Sequence, residues 1–248
     1  MTEVLLQAKG LCKRFGALQV CKDFDLSIEN GELHALIGPN GAGKTTALNL
    51  LTGLLSPDSG TLFMNGRDIT KTPVHRRARM GLARAFQVTS LFNSVSVREN
   101  LMLAVQAQQG TGMRFWTNAA RDKKLVASAD EFVERMGLTE RAGVPAGSLS
   151  HGERRQLEMG MALATRPAIL LLDEPMAGLG PGGSLKLCEL IDGLKGQVTI
   201  LMVEHDTQAV FALADRISVL VQGQVIATDS PQQIKENALV QEAYLGGA

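Results

Sequence analysis

The chain has 248 residues, 45% of them hydrophobic, and its 25 basic residues balance 25 acidic ones for a formal net charge of +0. That length allows one extended α/β domain or two subdomains, with enough apolar material for a sizeable core. The neutral balance gives no argument for nucleic acid, and no apolar run approaches the ~18–20 residues of a membrane span. From the N-terminus, Val4 to about Ile28 reads as antiparallel strands with a turn near Gly16, because Phe24, Leu26 and Ile28 alternate with polar residues. The run Leu33-His34-Ala35-Leu36-Ile37 then leads into GPNGAGKTT, residues Gly38 to Thr46, and Ala47-Leu48-Asn49-Leu50-Leu51 follows as a helix that Gly53 can stop. Thr61 to Met64 reads as another strand, with Asn65-Gly66 as its turn.

The middle of the chain is helical in pattern: Val97 to Ala107, a break at Gly110-Thr111-Gly112, then Arg121 to Met136. Ser150 and Glu153 have capping-box spacing, which predicts a helix from there to about Ala164. Arg76-Arg77 and Arg154-Arg155 read as solvated helix faces. Ile169 to Leu172 is a short continuous apolar run, the pattern of a parallel strand buried on both faces. A helix near Ser184 to Leu194, a strand from Val198 to Val203 and a hairpin of Ile217 to Val221 with Gln224 to Thr228 follow, and Ser230-Pro231 opens a final helix. Cys12, Cys21 and Cys188 show no metal spacing and no even disulfide set, which suits a reducing compartment. Met1-Thr2-Glu3-Val4 lacks the basic region and apolar core of a secretion signal.

Two stretches carry chemistry. Gly38, Pro39, Asn40, Gly41, Ala42, Gly43, Lys44, Thr45 and Thr46 form a complete G-x-x-x-x-G-K-T phosphate loop between a strand and a helix. Its glycines let successive N–H groups point inward, and the helix N-terminus adds partial positive charge. Lys44 is suited to the β- and γ-phosphates of a nucleotide, and the Thr45 hydroxyl to Mg²⁺. The apolar run Ile169 to Leu172 ends in Asp173, placed to hold Mg²⁺, and Glu174, placed to polarise an attacking water.

With Leu149-Ser150-His151-Gly152-Glu153 one helix upstream of that acidic strand, the chain resembles the ATP-binding subunit of an ABC transporter. The segment is similar to the family's L-S-G-G-Q signature, with His151 in place of the first Gly and Glu153 in place of the Gln. The resemblance implies a P-loop NTPase (RecA-like) α/β core with an N-terminal antiparallel β subdomain, spanning residues 1–94 and 165–248. It also implies an inserted α-helical subdomain at 95–164 that carries the signature. Phe15 matches the aromatic that stacks on adenine, and Gln87 the residue that contacts Mg²⁺ and the attacking water. His205 matches the switch histidine that senses the γ-phosphate and orients Glu174. Gly180 stands where the family usually has an acid.

By the same resemblance, Ser150 and Gly152 complete the site of another ABC ATPase subunit in a head-to-tail homo- or heterodimer. Val88 to Val97 forms the groove for the coupling helix of integral membrane permease subunits. A periplasmic or extracellular solute-binding protein is an indirect partner, no nucleic acid is implied, and the chain sits peripherally on the cytoplasmic face of the inner membrane. Gly81 to Gln87, Val97 to Leu101, Arg114-Phe115-Trp116 and the ending Glu242 to Gly246 resemble the ATPases of branched-chain amino-acid importers. ATPases for urea or short amides, or for lipopolysaccharide export, share much of this pattern. A soluble non-transport ABC ATPase, a small-molecule kinase and a nucleotide-binding regulator without turnover are the rival classes, the last opposed by the intact Glu174. The single cassette without a long coiled-coil insertion speaks against the first, and Glu174 beside Asp173 together with the signature segment against the second.

Overall fold

Residues 3–85, 91–108 and 122–245 are described by the computed structural model, side chains to residue 243. Gln87, Val88 to Ser90, Gly110-Thr111-Gly112 and Arg114-Phe115-Trp116 lie outside them. β1 (Val4–Phe15) and β2 (Leu18–Glu29) pair antiparallel, Phe15 opposite Leu18, around the turn at Gly16. β1 also pairs antiparallel with β4 (Ser59–Met64), and β4 with β5 (Arg67–Asp68), giving the sheet order β2-β1-β4-β5. Asn65 and Gly66 turn between β4 and β5 with φ of 49° and 70°, the left-handed pair that a tight hairpin needs.

The second sheet contains β3 (Leu33–Ile37), β6 (Leu82–Ala85), β7 (Ile169–Asp173), β8 (Thr199–Val203), β9 (Arg216–Val221) and β10 (Gln224–Asp229). Its order is β10-β9-β3-β8-β7-β6, parallel throughout except for the antiparallel edge strand β10. Every residue of β3, β7 and β8 is buried, as expected of parallel strands covered on both faces. The period-2 alternation sorts them. Ile169 and Leu171 join a core with Phe24, Ile28, Leu48 and Leu51, while Leu170 and Leu172 join one with Leu101, Val133 and Leu157. Each fully buried leucine contributes about 1.5–3 kcal/mol relative to exposure.

The first of those cores lies between the two sheets and includes α1 (Lys44–Thr52). The helix ends at Gly53, whose φ of 83° makes the left-handed cap that the sequence predicts. Helices α3 (Val97–Gln108), α4 (Lys123–Arg135) and α5 (His151–Ala164) pack together in the other core. Leu125, Ala129 and Val133 bury one face of α4 at four-residue spacing. α5 begins on the Ser150–Glu153 capping box and ends at Ala164, as its sequence indicates.

Other expectations need correction. α2 (Val74–Arg79), β6 and α7 (Thr207–Leu213) have no counterpart in the sequence reading. α6 (Pro181–Asp192) starts three residues ahead of Ser184, with Pro181 in its first turn. α8 (Pro231–Glu236) is not the last helix, since α9 (Ala238–Val240) and a π-helical turn at Gln241–Leu245 follow. Of the Arg76-Arg77 pair only Arg76 is exposed: Arg77 is 1% exposed, its guanidinium bonded to backbone carbonyls. Arg155 is also largely covered and pairs with Glu158. Among the described residues, no helix is long and apolar enough to cross a membrane.

Candidate nucleotide site

β3 delivers the glycine-rich loop to the C-terminal edge of the parallel sheet, where open α/β sheets bind ligands. The loop is pressed against its neighbours. A Cβ on Gly38 would lie 2.1 Å from the Leu220 carbonyl oxygen, and one on Gly43, at φ 105°, 2.8 Å from that of Val20. Pro39, Asn40 and Gly41 form the crest, and Ala42 closes it by donating its N–H to Pro39 O at 3.1 Å. No side chain caps the start of α1 and no acidic residue lies in its first turn, so its leading amides face an anion without competition. Thr45 is exposed and Thr46 half-buried at that helix start.

Lys44 is buried, and its Nζ donates to Gly38 O at 2.7 Å and Pro39 O at 3.1 Å. Desolvation lowers its pKa, and the carboxylates of Glu174, Asp173 and Glu204 push it back up. One ammonium therefore shares a neighbourhood with three acids drawn from β7 and the end of β8.

Asp173 closes β7 and is 7% exposed. Burial raises its pKa, against the pull of the Arg84 guanidinium, whose Nη2 donates to Asp173 Oδ2 at 2.7 Å. Glu174 turns the chain out of the strand with φ 49°, a left-handed conformation costing on the order of 1–3 kcal/mol in a non-glycine residue. Its N–H donates to Val203 O at 2.8 Å, which ties the strained turn to β8. The Glu174 side chain is half-exposed, with Oε1 3.9 Å from His205 Nδ1. Glu204 is fully buried and accepts from the backbone N–H groups of Met176 at 2.8 Å, His205 at 2.8 Å and Asp206 at 3.1 Å. It therefore clamps the loop carrying His205 to the loop leaving Glu174.

The structure thus gathers Lys44, Asp173, Glu174 and His205. Phe15 stands apart on the β1–β2 turn, 48% exposed, with Lys13 Nζ 5.9 Å from its ring centroid. Ser150 and Gly152 are not joined to the Lys44 group by any hydrogen bond or ion pair among the described residues. The Ser150 hydroxyl is engaged with Glu153, which Arg141 also holds at 2.8 Å. His151 packs on the loop after Glu174, where a Cβ on Gly178 would lie 3.3 Å from its Cε1. Sequence reasoning missed Glu204 and Arg84. A carboxylate directly after an apolar strand, and a lone cation inside a short one, are the signals that point to them.

Comparison with known proteins agrees with this geometry. Residues 21–177 match the family described as ABC transporter, and residues 224–248 match that described as branched-chain amino acid ATP-binding cassette transporter. The chain is 41% identical over 255 residues to the high-affinity branched-chain amino acid transport ATP-binding protein LivG of Salmonella typhimurium, covering 100% of both. It is 34% identical to the lipopolysaccharide export system ATP-binding protein LptB of Acidithiobacillus ferridurans, covering 98% of this chain and 97% of the relative. The ADP conformation of MJ1267, an ATP-binding cassette of an ABC transporter, superposes with a TM-score of 0.86 at 28% identity, covering 99% of this chain and 100% of that one. The α/β fold with its antiparallel sheet beside a parallel one is that of the ABC cassettes, and the chain belongs to the ABC transporter family as an ATP-binding subunit whose ATP hydrolysis is coupled to transport.

Proposed function

We propose that this chain energises the import of branched-chain amino acids, with Glu174 as the base of its ATPase reaction. The convergence of Lys44, Asp173, Glu174 and His205 at one sheet edge is the observation that supports the catalytic reading. Lys44 and the amides of Gly38 to Thr46 hold the phosphates, exchanging the Lys44 contacts to loop carbonyls for phosphate oxygens. Phe15 stacks on the adenine. Glu174 takes a proton from the attacking water, and His205 orients Glu174 and the γ-phosphate.

A hydroxyl on Thr45 and a carboxylate on Asp173 are hard oxygen donors that fit Mg²⁺, with Gln87 as a third ligand from outside the described residues. No group of three or more His, Cys, Asp or Glu able to cage a metal occurs among the described residues, so the remaining ligands come from phosphate and water. When bound, Mg²⁺ neutralises charge on the transferring phosphoryl group.

On this reading residues 1–94 and 165–248 act as the nucleotide-binding core and 95–164 as a helical unit. Ser150 and Gly152 serve a second ATPase subunit's nucleotide in a homo- or heterodimer. The permease subunits dock along Val88 to Val97 from the cytoplasmic face of the membrane, and a solute-binding protein feeds them from the other side. Phe92, 53% exposed within that segment, supplies apolar contact area. The substrate follows from the higher identity to the branched-chain relatives than to the lipopolysaccharide exporter and from the match at 224–248. Cells carrying Glu174→Gln in place of the native residue should lose uptake of radiolabelled leucine, isoleucine and valine. Normal uptake of all three, with loss of a different solute, overturns the substrate assignment.

A further inference from the structure

Arg84 sits inside the short strand β6, mostly buried, and its guanidinium spans two other elements. Nη1 donates to Asn49 Oδ1 on α1 at 2.7 Å, and Nη2 donates to Asp173 Oδ2 on β7 at 2.7 Å. Asn49 follows Thr45 by four residues, so the two lie on one face of α1, one turn apart. The planar fork therefore sets the distance and angle between the helix face that carries the Thr45 hydroxyl and the carboxylate of Asp173. Backbone pairing holds β6 against β7, with Arg84 in register with Leu171, but α1 lies outside that ladder. The Arg84 bridge supplies a cross-link between helix and strand that the sheet hydrogen bonds do not.

We propose that Arg84 is a positioning residue of the ATPase site, its fork aligning Asp173 with Thr45 so that both address one Mg²⁺. The inference rests on the reading of Asp173 and Thr45 as metal ligands. It requires that orientation outweigh repulsion between the guanidinium and the metal. A lysine at this position keeps the charge beside Asp173 but cannot donate in two fixed directions from one rigid plane. Charge and bridging are therefore separable by a single substitution. Residues that orient a metal ligand typically cost 10–100-fold in metal affinity when changed.

The test is a Mn²⁺ titration of the purified full chain with the non-hydrolysable ATP analogue AMP-PNP, followed by the electron paramagnetic resonance of free Mn²⁺. Arg84→Lys should weaken Mn²⁺ binding on the order of tenfold. Its kcat should fall with little change in the KM for ATP at saturating Mg²⁺, and metal-free AMP-PNP affinity should be unchanged. Asn49→Ala, which leaves the Arg84–Asp173 pair in place, should weaken Mn²⁺ in the same direction. The double variant should be no worse than Arg84→Lys alone. Unchanged or tighter Mn²⁺ binding in Arg84→Lys or in Asn49→Ala overturns the proposal, as does full additivity in the double variant. Asp173→Asn separates the two layers. If it leaves Mn²⁺ affinity intact, the metal assignment falls and Arg84 loses its role. If it abolishes Mn²⁺ binding while Arg84→Lys does not weaken it, only the positioning step fails.

Discussion

Replacing Arg77 by methionine should be strongly destabilising although it lies outside the nucleotide site. The Arg77 guanidinium, 1% exposed, donates from Nε to Thr72 O at 2.8 Å and from Nη2 to Thr70 O at 3.0 Å. Its Nη1 reaches Leu50 O at 2.8 Å and Leu51 O at 2.7 Å. The last two are carbonyls of the final turn of α1, where a helix presents orphan acceptors and partial negative charge. Burial lowers the pKa of this arginine, a sign that the charge is held at some desolvation cost. Methionine refills much of the stem volume and removes that cost, but it takes the charged donor from two buried carbonyls, those of Leu50 and Leu51, and from the part-buried carbonyls of Thr70 and Thr72. At about 1 kcal/mol net each, less the desolvation recovered, the loss is about 3 kcal/mol. For a chain of this size that lowers the thermal midpoint by about 6–12 °C. Urea and thermal unfolding of wild type, Arg77→Met and Arg77→Lys measure it, with lysine expected to recover only part. A loss below about 1 kcal/mol, or full rescue by lysine, would refute the idea that the forked guanidinium anchors the end of α1.

Further outcomes follow from the same contacts. Lys44→Ala should nearly abolish binding of a fluorescent ATP analogue, and unchanged affinity would sink the phosphate-loop assignment. Glu32 loses some charge stability to burial, but its bonds to His34 and the Glu29 N–H and the nearby Arg216 outweigh this, so its folded pKa lies below 4.5. Its contribution is therefore present above pH 4.5 and lost as pH falls through the lower folded value. Glu32→Gln should flatten the acid limb of a stability–pH curve below that point, and an unchanged limb would contradict it. Glu174→Gln with ATP and Mg²⁺ should sediment as a dimer, alone or with a partner ATPase, while ADP should not produce the shift. Adding Ser150→Arg should abolish the dimer and spare monomer ATP affinity. Dimerisation without ATP would argue against a nucleotide shared between chains.

What could be read from the sequence was whatever is contiguous in it. The phosphate loop lies directly between β3 and α1, the Ser150–Glu153 box spans one helical turn, and Gly53 directly follows the helix it ends. Each is local geometry with a local signature. The onset of α6 was hidden by Gly182 and Gly183, poor helix formers that here follow Pro181 in the first turn, where propensity matters least. Arg155 pairs locally with Glu158, but three charged residues that were misread or missed have partners far along the chain. Arg77 answers to carbonyls 26 and 27 positions away, Glu204 to an amide 28 away, and Arg84 to a carboxylate 89 away.

No periodicity reports such a partner, and an Arg-Arg pair on a short helix reads as solvated until the acceptors are seen. One clue becomes available once β6 is seen beside β7. Arg84 lies in a strand of four residues beside a fully buried one, where an unpaired cation would be prohibitively costly. A charge there demands a partner at the same sheet edge, and in this chain that edge ends in Asp173. Both buried arginines also converge on α1, Arg77 on its C-terminal carbonyls and Arg84 on Asn49. The helix α1 is thus fixed at its C-terminal end by the cation from α2 and along one face by the cation from β6. Both elements also line a surface groove of about 700 Å³. A displacement of that groove wall would therefore reach α1 directly through the Arg77 and Arg84 hydrogen bonds.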